Sequence, residues 1–279
     1  MSASSWILYD ASKNKVISGK RERERREIAS LTKIMTCYLA IEIAERLKID
    51  LNTYQIRVSK CAASMCGTSA KLREGETLTL FDLLHGLMLP SGNDAAVAIA
   101  ESLGRELKIE KESSKVENGQ EQLPEGSCKS SYAYFIEAMN QKAKELELTD
   151  THFENPHGLM HKNNVSSAYD LALLCTTVMK NELFRKIVRK KEHFFWTIQG
   201  VKIRREGMWE NTNKLLSHGY EGIKTGTTPT AGYCLASSLR RSEMHHLICI
   251  LLNASATDAR FSESRKLIEF GFRKLVHKS

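Results

Sequence analysis

Short runs of alternating apolar and polar residues occur near both ends of the chain. Residues 6–9 and 15–18 flank a turn and predict a β-hairpin. The same alternation returns after residue 190, and a helical pattern closes the chain at about 258–276. We therefore predict five further strands, at residues 194–198, 201–204, 222–225, 232–239 and 246–252.

The middle of the chain instead has apolar residues at helical spacing. One helix is predicted to begin at Ser30, and another follows a capping box made by Thr79 and Asp82. That second helix is expected to end before Pro90, because proline cannot continue a helix. Three more helices are predicted at about 94–104, 132–143 and 167–179, with a short strand at 54–59.

Strands at both ends around a helical middle predict an α/β (α+β) fold, in which an antiparallel sheet built from both termini carries an inserted, mainly helical lobe. We expect a single domain over residues 1–279, with the sheet lobe at about 1–30 and 190–279 and the helical lobe at about 31–189. Residues 111–130 are rich in Glu, Ser, Lys and Gly and predict an exposed polar insertion. The cleft between two such lobes is the expected place for a binding site.

The composition excludes several classes of protein. Of the 279 residues 42% are hydrophobic, so the chain is not intrinsically disordered. The seven cysteines are odd in number and scattered, which argues against a disulfide framework, and no zinc-binding spacing is present. The net charge of +8 is not accompanied by a nucleic-acid-binding motif. We expect no metal, no cofactor and no nucleic-acid partner.

No apolar run approaches the length that crosses a bilayer, so we expect no membrane-spanning segment. The N-terminus lacks the basic region and apolar core that are typical of an export signal. We therefore expect a chain that is cytosolic, already processed or a fragment.

Ser30 precedes Lys33 by about one helical turn at the start of the first predicted helix. Residues at i and i+3 are neighbours on a helix surface, and a helix start offers N–H groups that stabilise an oxyanion. Ser30 is therefore a candidate nucleophile with Lys33 as its base, if burial or a nearby cation lowers the pKa of Lys33. The structural alternative is a helix N-cap followed by a surface lysine. Ser12 and Lys15 have the same spacing.

Two further motifs carry polar side chains. Ser91-Gly92-Asn93 lies at the corner between two predicted helices, and Lys224-Thr225-Gly226 lies on a predicted strand. Each motif alone also fits a turn, a helix cap or a charge at a strand edge. Together with Ser30 and Lys33, in this order, they resemble the motif set of penicillin-binding proteins and class A β-lactamases.

The sequence around the motifs extends this resemblance. Residues 29–36, 89–96, 151–159 and 222–228 are similar to the serine-type D-alanyl-D-alanine carboxypeptidases, the low-molecular-weight penicillin-binding proteins. The similarity covers residues 5–106 and 131–275. It implies a β-lactamase/transpeptidase-like fold, with an antiparallel sheet flanked by helices and a catalytic site between sheet and helical lobe.

The resemblance also implies an activity and roles for named residues. The enzyme is expected to remove the terminal D-alanine from peptidoglycan stem peptides through an acyl-enzyme on Ser30, and to be acylated by β-lactams. Lys33 is implied as the base, Ser91 as the proton relay to the leaving amine, and Asn93 as the group that orients Lys33 and the substrate. The remaining implied residues are Lys224, which keeps the site electropositive, Thr225, Gly226 and Thr227, which line the substrate strand, and Arg260, which binds the substrate carboxylate.

Two other functions stay open. A class A β-lactamase shares the nucleophile and the lysine but needs a carboxylate for deacylation, for which Glu154 is the nearest candidate. A catalytically weak peptidoglycan-binding module is the alternative outside the enzymes, and the retained Ser30 and Lys33 argue against it. Because the family is extracytoplasmic, a mature or partial chain is expected in the periplasm or at the cell surface.

Overall fold

The computed structural model describes residues 1–117, 130–199 and 202–276. Within these ranges the strands are β1 (Ser5–Asp10), β2 (Lys15–Lys20), β3 (Arg26–Glu27), β4 (Gln55–Arg57), β5 (Thr77–Thr79), β6 (Val165–Ser166), β7 (Glu192–Gln199), β8 (Lys202–Glu210), β9 (Gly222–Thr228), β10 (Gly232–Ser242) and β11 (His245–Ala254). The α-helices are α1 (Thr32–Arg46), α2 (Lys60–Ala63), α3 (Leu80–Met88), α4 (Asn93–Glu117), α5 (Ser131–Glu145), α6 (Ala168–Val178), α7 (Glu182–Arg189) and α8 (Thr257–Val276).

The main sheet has five antiparallel strands in the order β2-β1-β11-β10-β9. β1 pairs with β11 along its whole length, from Ser5 opposite Leu252 to Asp10 opposite Leu247. The two ends of the chain therefore meet in one sheet, as the sequence predicted. β9, which carries the Lys-Thr-Gly motif, lies at the edge of this sheet.

A second sheet corrects one expectation. Residues from about 190 onward were expected to join the terminal sheet, but β7 and β8 pair with each other and belong to a sheet in the order β4-β5-β7-β8. Alternating sequence predicts a strand without identifying its partner, which explains the error. The division of the chain into a sheet lobe and a helical lobe stays a prediction.

The helices agree with most of the predicted positions. Thr79 and Ser167 each accept a hydrogen bond from the backbone N–H three residues later, as the capping patterns predicted. α4 is longer than predicted, so the start of the predicted polar insertion at 111–130 is helical through Glu117. The rest of that insertion, residues 118–129, lies outside the described residues. α7 was not predicted at all, although Asn181 caps its first turn.

α1 forms the centre of the hydrophobic core. Its apolar side chains, including Ile34 and Met35, are fully buried. The helix packs against α3, α4, α5 and α6, while α6 also packs on the inner face of the main sheet and α8 packs against β10 and β11. The start of α1 is thereby fixed between the main sheet and the helices. Among the described residues, no helix has the length and apolar character needed to span a membrane.

Candidate active site

Ser30 lies in a 3-10 turn, Ala29–Leu31, that leads directly into α1. Ala29 has a positive φ of 48°. Its carbonyl oxygen lies so close to Gly158 that a Cβ atom there would come within 1.9 Å of it. The turn that presents Ser30 therefore packs against the loop that contains Gly158, and position 158 has no room for a side chain.

Lys33 is fully buried and has three hydrogen-bond partners. Its Nζ atom lies 3.0 Å from the Oγ atom of Ser30 and 2.7 Å from the Oδ1 atom of Asn93. The third partner is the backbone carbonyl oxygen of His157, also at 2.7 Å. The predicted nucleophile and base are thus in direct contact, one helical turn apart.

The electrostatic surroundings favour a neutral Lys33. Burial lowers the pKa of Lys33 well below its usual value, and the positive charge of Lys224 lowers it further, while Asp94 opposes both effects. Lys224 is itself buried. Burial and the Arg260 guanidinium lower the pKa of Lys224 to about 7. The surroundings of Lys33 therefore lower its pKa in the direction that a lysine base requires.

The Ser91-Gly92-Asn93 corner connects α3 to α4. Asn93 donates from Nδ2 to the carbonyl oxygen of Cys66 at 2.7 Å, which leaves its Oδ1 atom to accept from Lys33. Ser91 has a positive φ of 67° and is buried. Within the described ranges its Oγ atom has no hydrogen-bond partner, so this hydroxyl is available for a reacting molecule.

β9 passes close to the turn that holds Ser30. A Cβ atom at Gly226 would lie 3.0 Å from the backbone nitrogen of Ser30. Arg260, from the start of α8, donates to the Gly226 carbonyl oxygen at 2.9 Å and to the Thr227 Oγ1 atom at 3.1 Å. Thr225 shares a hydrogen bond of 2.7 Å with the Oγ1 atom of Thr212.

Asp94 was not identified as a site residue from the sequence. Its buried carboxylate accepts hydrogen bonds from the backbone N–H groups of Ala70 and Leu72 and from the Ser69 hydroxyl, at 2.9, 3.1 and 2.6 Å. These bonds fix the segment beside Asn93 to the start of α4. The only sequence signal for this role is an acidic residue directly after Ser-Gly-Asn in the first turn of a helix.

His157 contributes to the site through its backbone. The loop that carries it is held by Asn155, whose Oδ1 atom accepts from the N–H groups of His157 and Gly158 at 3.3 and 2.6 Å. Burial and the nearby Lys33 lower the pKa of the His157 imidazole to about 3, so the ring is neutral near pH 7. Its Nδ1 atom accepts from the backbone N–H of Leu159. Since every residue has a carbonyl group, the sequence could not show that this one contacts Lys33.

Glu154 interacts with its own loop. Its Oε1 atom lies 3.2 Å from the Nε2 atom of His152 and 3.4 Å from the Nδ2 atom of Asn163. The same loop instead presents the His157 carbonyl to Lys33. This arrangement gives no support to Glu154 as a deacylating base.

Direct contacts connect most of the residues that the sequence singled out. Ser30, Lys33 and Asn93 form one hydrogen-bonded chain. Gly226 packs on Ser30, and Arg260 connects Gly226 to Thr227. The positive charge of Lys224 acts on Lys33, Thr225 follows Lys224 along β9, and Ser91 lies two residues before Asn93. The chemical roles of these residues stay predictions.

The five-stranded sheet with helices packed on it, together with the contact between Ser30 and buried Lys33 at the start of α1, defines the class of this protein as one with a transpeptidase-like fold. The chain belongs to the D-alanyl-D-alanine carboxypeptidase family, whose sequence model matches residues 1–108 and 127–256. The unmatched stretch between these ranges overlaps the predicted polar insertion at 111–130.

Individual relatives agree with this assignment. The chain is 33% identical to the D-alanyl-D-alanine carboxypeptidase DacF of Bacillus subtilis over 97% of its own length and 62% of that protein. It is 34% identical to DacC of Escherichia coli, over 97% of the chain and 61% of that relative. The chain thus spans less than two thirds of the length of these two relatives.

A solved structure extends the comparison to the fold. The Streptomyces K15 DD-transpeptidase superposes on the chain with a TM-score of 0.83 at 29% sequence identity, and the match covers 98% of both chains. The β-lactamase/transpeptidase-like fold expected from the sequence is therefore confirmed.

Proposed function

We propose that this protein is a serine-type D-Ala-D-Ala carboxypeptidase that removes the terminal D-alanine from peptidoglycan stem peptides. Ser30 attacks the carbonyl carbon between the two D-alanines, the terminal D-alanine leaves as an amine, and water hydrolyses the resulting ester on Ser30. Membership of the family and the full set of Ser-x-x-Lys, Ser-Gly-Asn and Lys-Thr-Gly residues support this activity.

The observation that carries the proposal is the set of three partners around the Lys33 amine. A neutral lysine amine has two N–H groups and one lone pair. The Oδ1 atom of Asn93 and the His157 carbonyl oxygen can only accept, so they take the two N–H groups. The lone pair is then directed at the third partner, the hydroxyl of Ser30 at 3.0 Å. Neutral Lys33 is thereby arranged to receive the Ser30 proton as the nucleophile attacks.

Proton transfer to the leaving amine needs a second group. The Ser91 hydroxyl is suited to this step because it is buried and has no hydrogen-bond partner within the described ranges. It can accept the proton held by Lys33 and donate its own to the departing D-alanine nitrogen. Lys224 keeps the site electropositive and favours neutral Lys33.

Substrate alignment follows from the edge position of β9. A peptide lying along Thr225, Gly226 and Thr227 places its carbonyl beside Ser30, where the N–H groups of Ser30 and Thr227 are the proposed oxyanion donors. The guanidinium of Arg260, fixed beside Gly226 and Thr227, has the donor geometry that a terminal carboxylate requires. The same groups fit a β-lactam, so we propose acylation by penicillin as a further property.

The partner and the location follow from this substrate. The proposed partner is a peptidoglycan stem peptide, and the protein then acts outside the cytoplasm, in the periplasm or at the cell surface. The catalytic unit is proposed to be a single domain over residues 1–279.

A direct test measures D-alanine release from a peptide ending in D-Ala-D-Ala. We expect release by the wild type and none by Ser30→Ala. Ser12→Ala is the matched control, because Ser12 and Lys15 repeat the Ser-x-x-Lys spacing on the β1–β2 turn, and it should keep full activity. Loss of activity in Ser12→Ala, or its survival in Ser30→Ala, would contradict the proposal.

A further inference from the structure

The hairpin of β7 and β8 exposes large apolar side chains on one of its faces. Residues along both strands alternate between covered and exposed positions. The exposed positions form three cross-strand pairs, Phe194–Met208, Trp196–Glu206 and Glu192–Glu210, which we call the exposed hairpin face. Phe194, Trp196 and Met208 are 56%, 48% and 42% exposed. Adjacent apolar side chains that stay in contact with water mark a binding surface more often than a structural one.

The opposite face of the hairpin supplies its core packing. The Phe195 ring stacks on Trp209 with the ring centroids 3.8 Å apart, and the Trp209 indole donates to the Ala70 carbonyl oxygen at 2.8 Å. The His193 Nε2 atom lies 2.7 Å from the Oδ1 atom of Asp82. These contacts fix the two strands from within. The rings on the exposed hairpin face are therefore not needed for packing, and they stand on a rigid support.

A cavity of about 290 Å³ opens on the exposed hairpin face. Its lining includes both exposed rings, Phe194 and Trp196, together with Met208 and Glu206. Ordinary small-ligand sites have this composition, in which apolar and aromatic side chains surround a few polar groups, and the volume is near the lower end of their range.

The charges of the exposed hairpin face decide between possible occupants. Its three ionisable residues, Glu192, Glu206 and Glu210, are all carboxylates, and none of the six residues is positively charged. An anionic lipid surface would be repelled. A second copy related by two-fold symmetry would bring the same carboxylates against one another, which is also unfavourable. The face instead favours a partner without negative charge that donates hydrogen bonds to carboxylates.

A neutral sugar chain has both properties that this face requires. The C–H groups on one side of a sugar ring pack on the electron-rich face of an aromatic ring. The hydroxyl and amide groups at its rim donate hydrogen bonds, and carboxylates are strong acceptors. Phe194 and Trp196 are two residues apart on one strand, so they are separated by about 7 Å along it. Glu206 lies directly across from Trp196, where it can accept from the rim of a stacked sugar.

We propose that the exposed hairpin face binds the sugar chain of peptidoglycan, as a site separate from the candidate active site. The choice of this sugar chain rests on the proposed function, because the stem peptides that Ser30 would cleave are attached to it. A protein that holds the sugar chain keeps further stem peptides close to Ser30 between reactions. Short peptides gain nothing from such a site, whereas the polymer does.

The distance between the two sites suits one polymer. β8 leads from Met208 to Thr212, whose Oγ1 atom lies 2.7 Å from that of Thr225 in the candidate active site. The four residues from Met208 to Thr212 span at most about 14 Å. A fully extended peptide of about five residues spans a similar length. A sugar chain on the hairpin and a stem peptide beside β9 can therefore belong to the same molecule.

The test uses chitin, an uncharged polymer of N-acetylated sugars that carries no peptide, so that the candidate active site has nothing to hold. Co-sedimentation with chitin particles is measured for the wild type and for Trp196→Ala and Trp196→Tyr, the second of which restores an aromatic ring. Phe270→Ala is the matched control, because Phe270 is an exposed ring on α8. D-alanine release is measured in parallel from a short blocked D-Ala-D-Ala peptide and from insoluble peptidoglycan.

We expect the wild type, Trp196→Tyr and Phe270→Ala to sediment equally with chitin. Trp196→Ala should bind chitin roughly tenfold more weakly, because it loses a ring-stacking contact. Release of D-alanine from the short peptide should be the same in all four proteins, since Trp196 lies outside the candidate active site. Release from insoluble peptidoglycan should be slower in Trp196→Ala alone.

Three results would overturn the proposal. The first is a wild type that releases D-alanine from the short peptide but does not sediment with chitin. The second is equal sedimentation of Trp196→Ala and the wild type. The third is a wild-type dimer, detected by light scattering, that Trp196→Ala abolishes, which would identify the face as an interface between copies. A wild type that releases no D-alanine from either substrate would count against the proposed function, while chitin binding that depends on Trp196 would still support the sugar site.

Discussion

At the scale of single residues, the candidate site contains two buried lysines, and the positive charge of Lys224 lowers the pKa of Lys33. Lys33 contacts Ser30, the proposed nucleophile, and Lys224 acts on Lys33 through its positive charge. Besides Ser30, the partners of Lys33 are the Asn93 side-chain oxygen and the His157 backbone oxygen, and neither of these two atoms can donate a proton to it. Burial and like charge together therefore favour the neutral amine that the proposed base requires.

Replacing Lys224 by glutamine tests this coupling. Without the positive neighbour the pKa of Lys33 rises, so a larger fraction of Lys33 is protonated at neutral pH and acylation becomes slower. We expect the curve of penicillin acylation rate against pH to be displaced to higher pH in Lys224→Gln, measured from about pH 6 to about pH 10. Lys214→Gln, at an exposed lysine paired with Asp258, serves as the control and should leave the curve unchanged. An undisplaced curve for Lys224→Gln would show that Lys224 does not set the pKa of Lys33.

Gly226 sets the distance between β9 and the nucleophile. An alanine there would place its Cβ atom 3.0 Å from the Ser30 nitrogen and 3.2 Å from the Ile28 carbonyl oxygen, closer than ordinary contacts. β9 must shift by some tenths of an ångström, and we expect acylation of Gly226→Ala to fall on the order of tenfold, because catalysis depends on sub-ångström positions. The measurement is the penicillin acylation rate beside urea unfolding. Gly19→Ala, on β2, is the strand control, and a rate in Gly226→Ala equal to that of Gly19→Ala would rule out the close approach as a functional requirement.

At the scale of elements, three parts of the fold form the candidate site: the start of α1, the α3–α4 corner and the edge strand β9. The corner is held by Asp94, which satisfies two backbone N–H groups of the segment that leads to it. That segment also supplies the Cys66 carbonyl oxygen that orients Asn93. The position of Asn93 relative to Lys33 therefore depends on the carboxylate of the next residue, Asp94, through its hydrogen bonds to this segment.

Asp94→Ala should lower both stability and activity. The Ala70 and Leu72 N–H groups lose a charged acceptor in a buried position, and we expect a loss of about 3 kcal/mol in the free energy of unfolding by urea. Penicillin acylation should slow even where the variant is fully folded, because Asn93 is less well oriented. Asp258→Ala, at an exposed carboxylate, should change the free energy of unfolding by less than about 0.5 kcal/mol. A small loss in Asp94→Ala would mean that the segment does not need this acceptor.

The sequence predicted the elements that have local signals. Capping residues marked the starts of α3 and α6, and the i, i+3 spacing put Ser30 beside Lys33. α7 was missed because it is short and lies between two longer patterns, although Asn181 is a capping residue. The roles of the Cys66 and His157 carbonyl oxygens could not be predicted, because a backbone acceptor has no residue identity and its position depends on the tertiary fold.

At the scale of the whole molecule, the main sheet joins both ends of the chain and presents β9 at its edge, next to the start of α1. The sequence predicted this sheet from strands at both termini, but it assigned the β7–β8 hairpin to the wrong sheet. Strand pairing depends on contacts between distant residues, such as Thr77 opposite Ile198, which alternation along the chain does not encode.

Intact-mass spectrometry after incubation with a labelled penicillin tests the central claim, that Ser30 is a nucleophile activated by Lys33. The account predicts one lasting adduct on the wild type and on Ser12→Ala, none on Ser30→Ala, and much slower adduct formation on Lys33→Ala. An adduct that persists on Ser30→Ala, or a folded wild type that gains none while penicillin stays intact, would contradict the claim. Rapid penicillin hydrolysis without a lasting adduct would instead identify a β-lactamase.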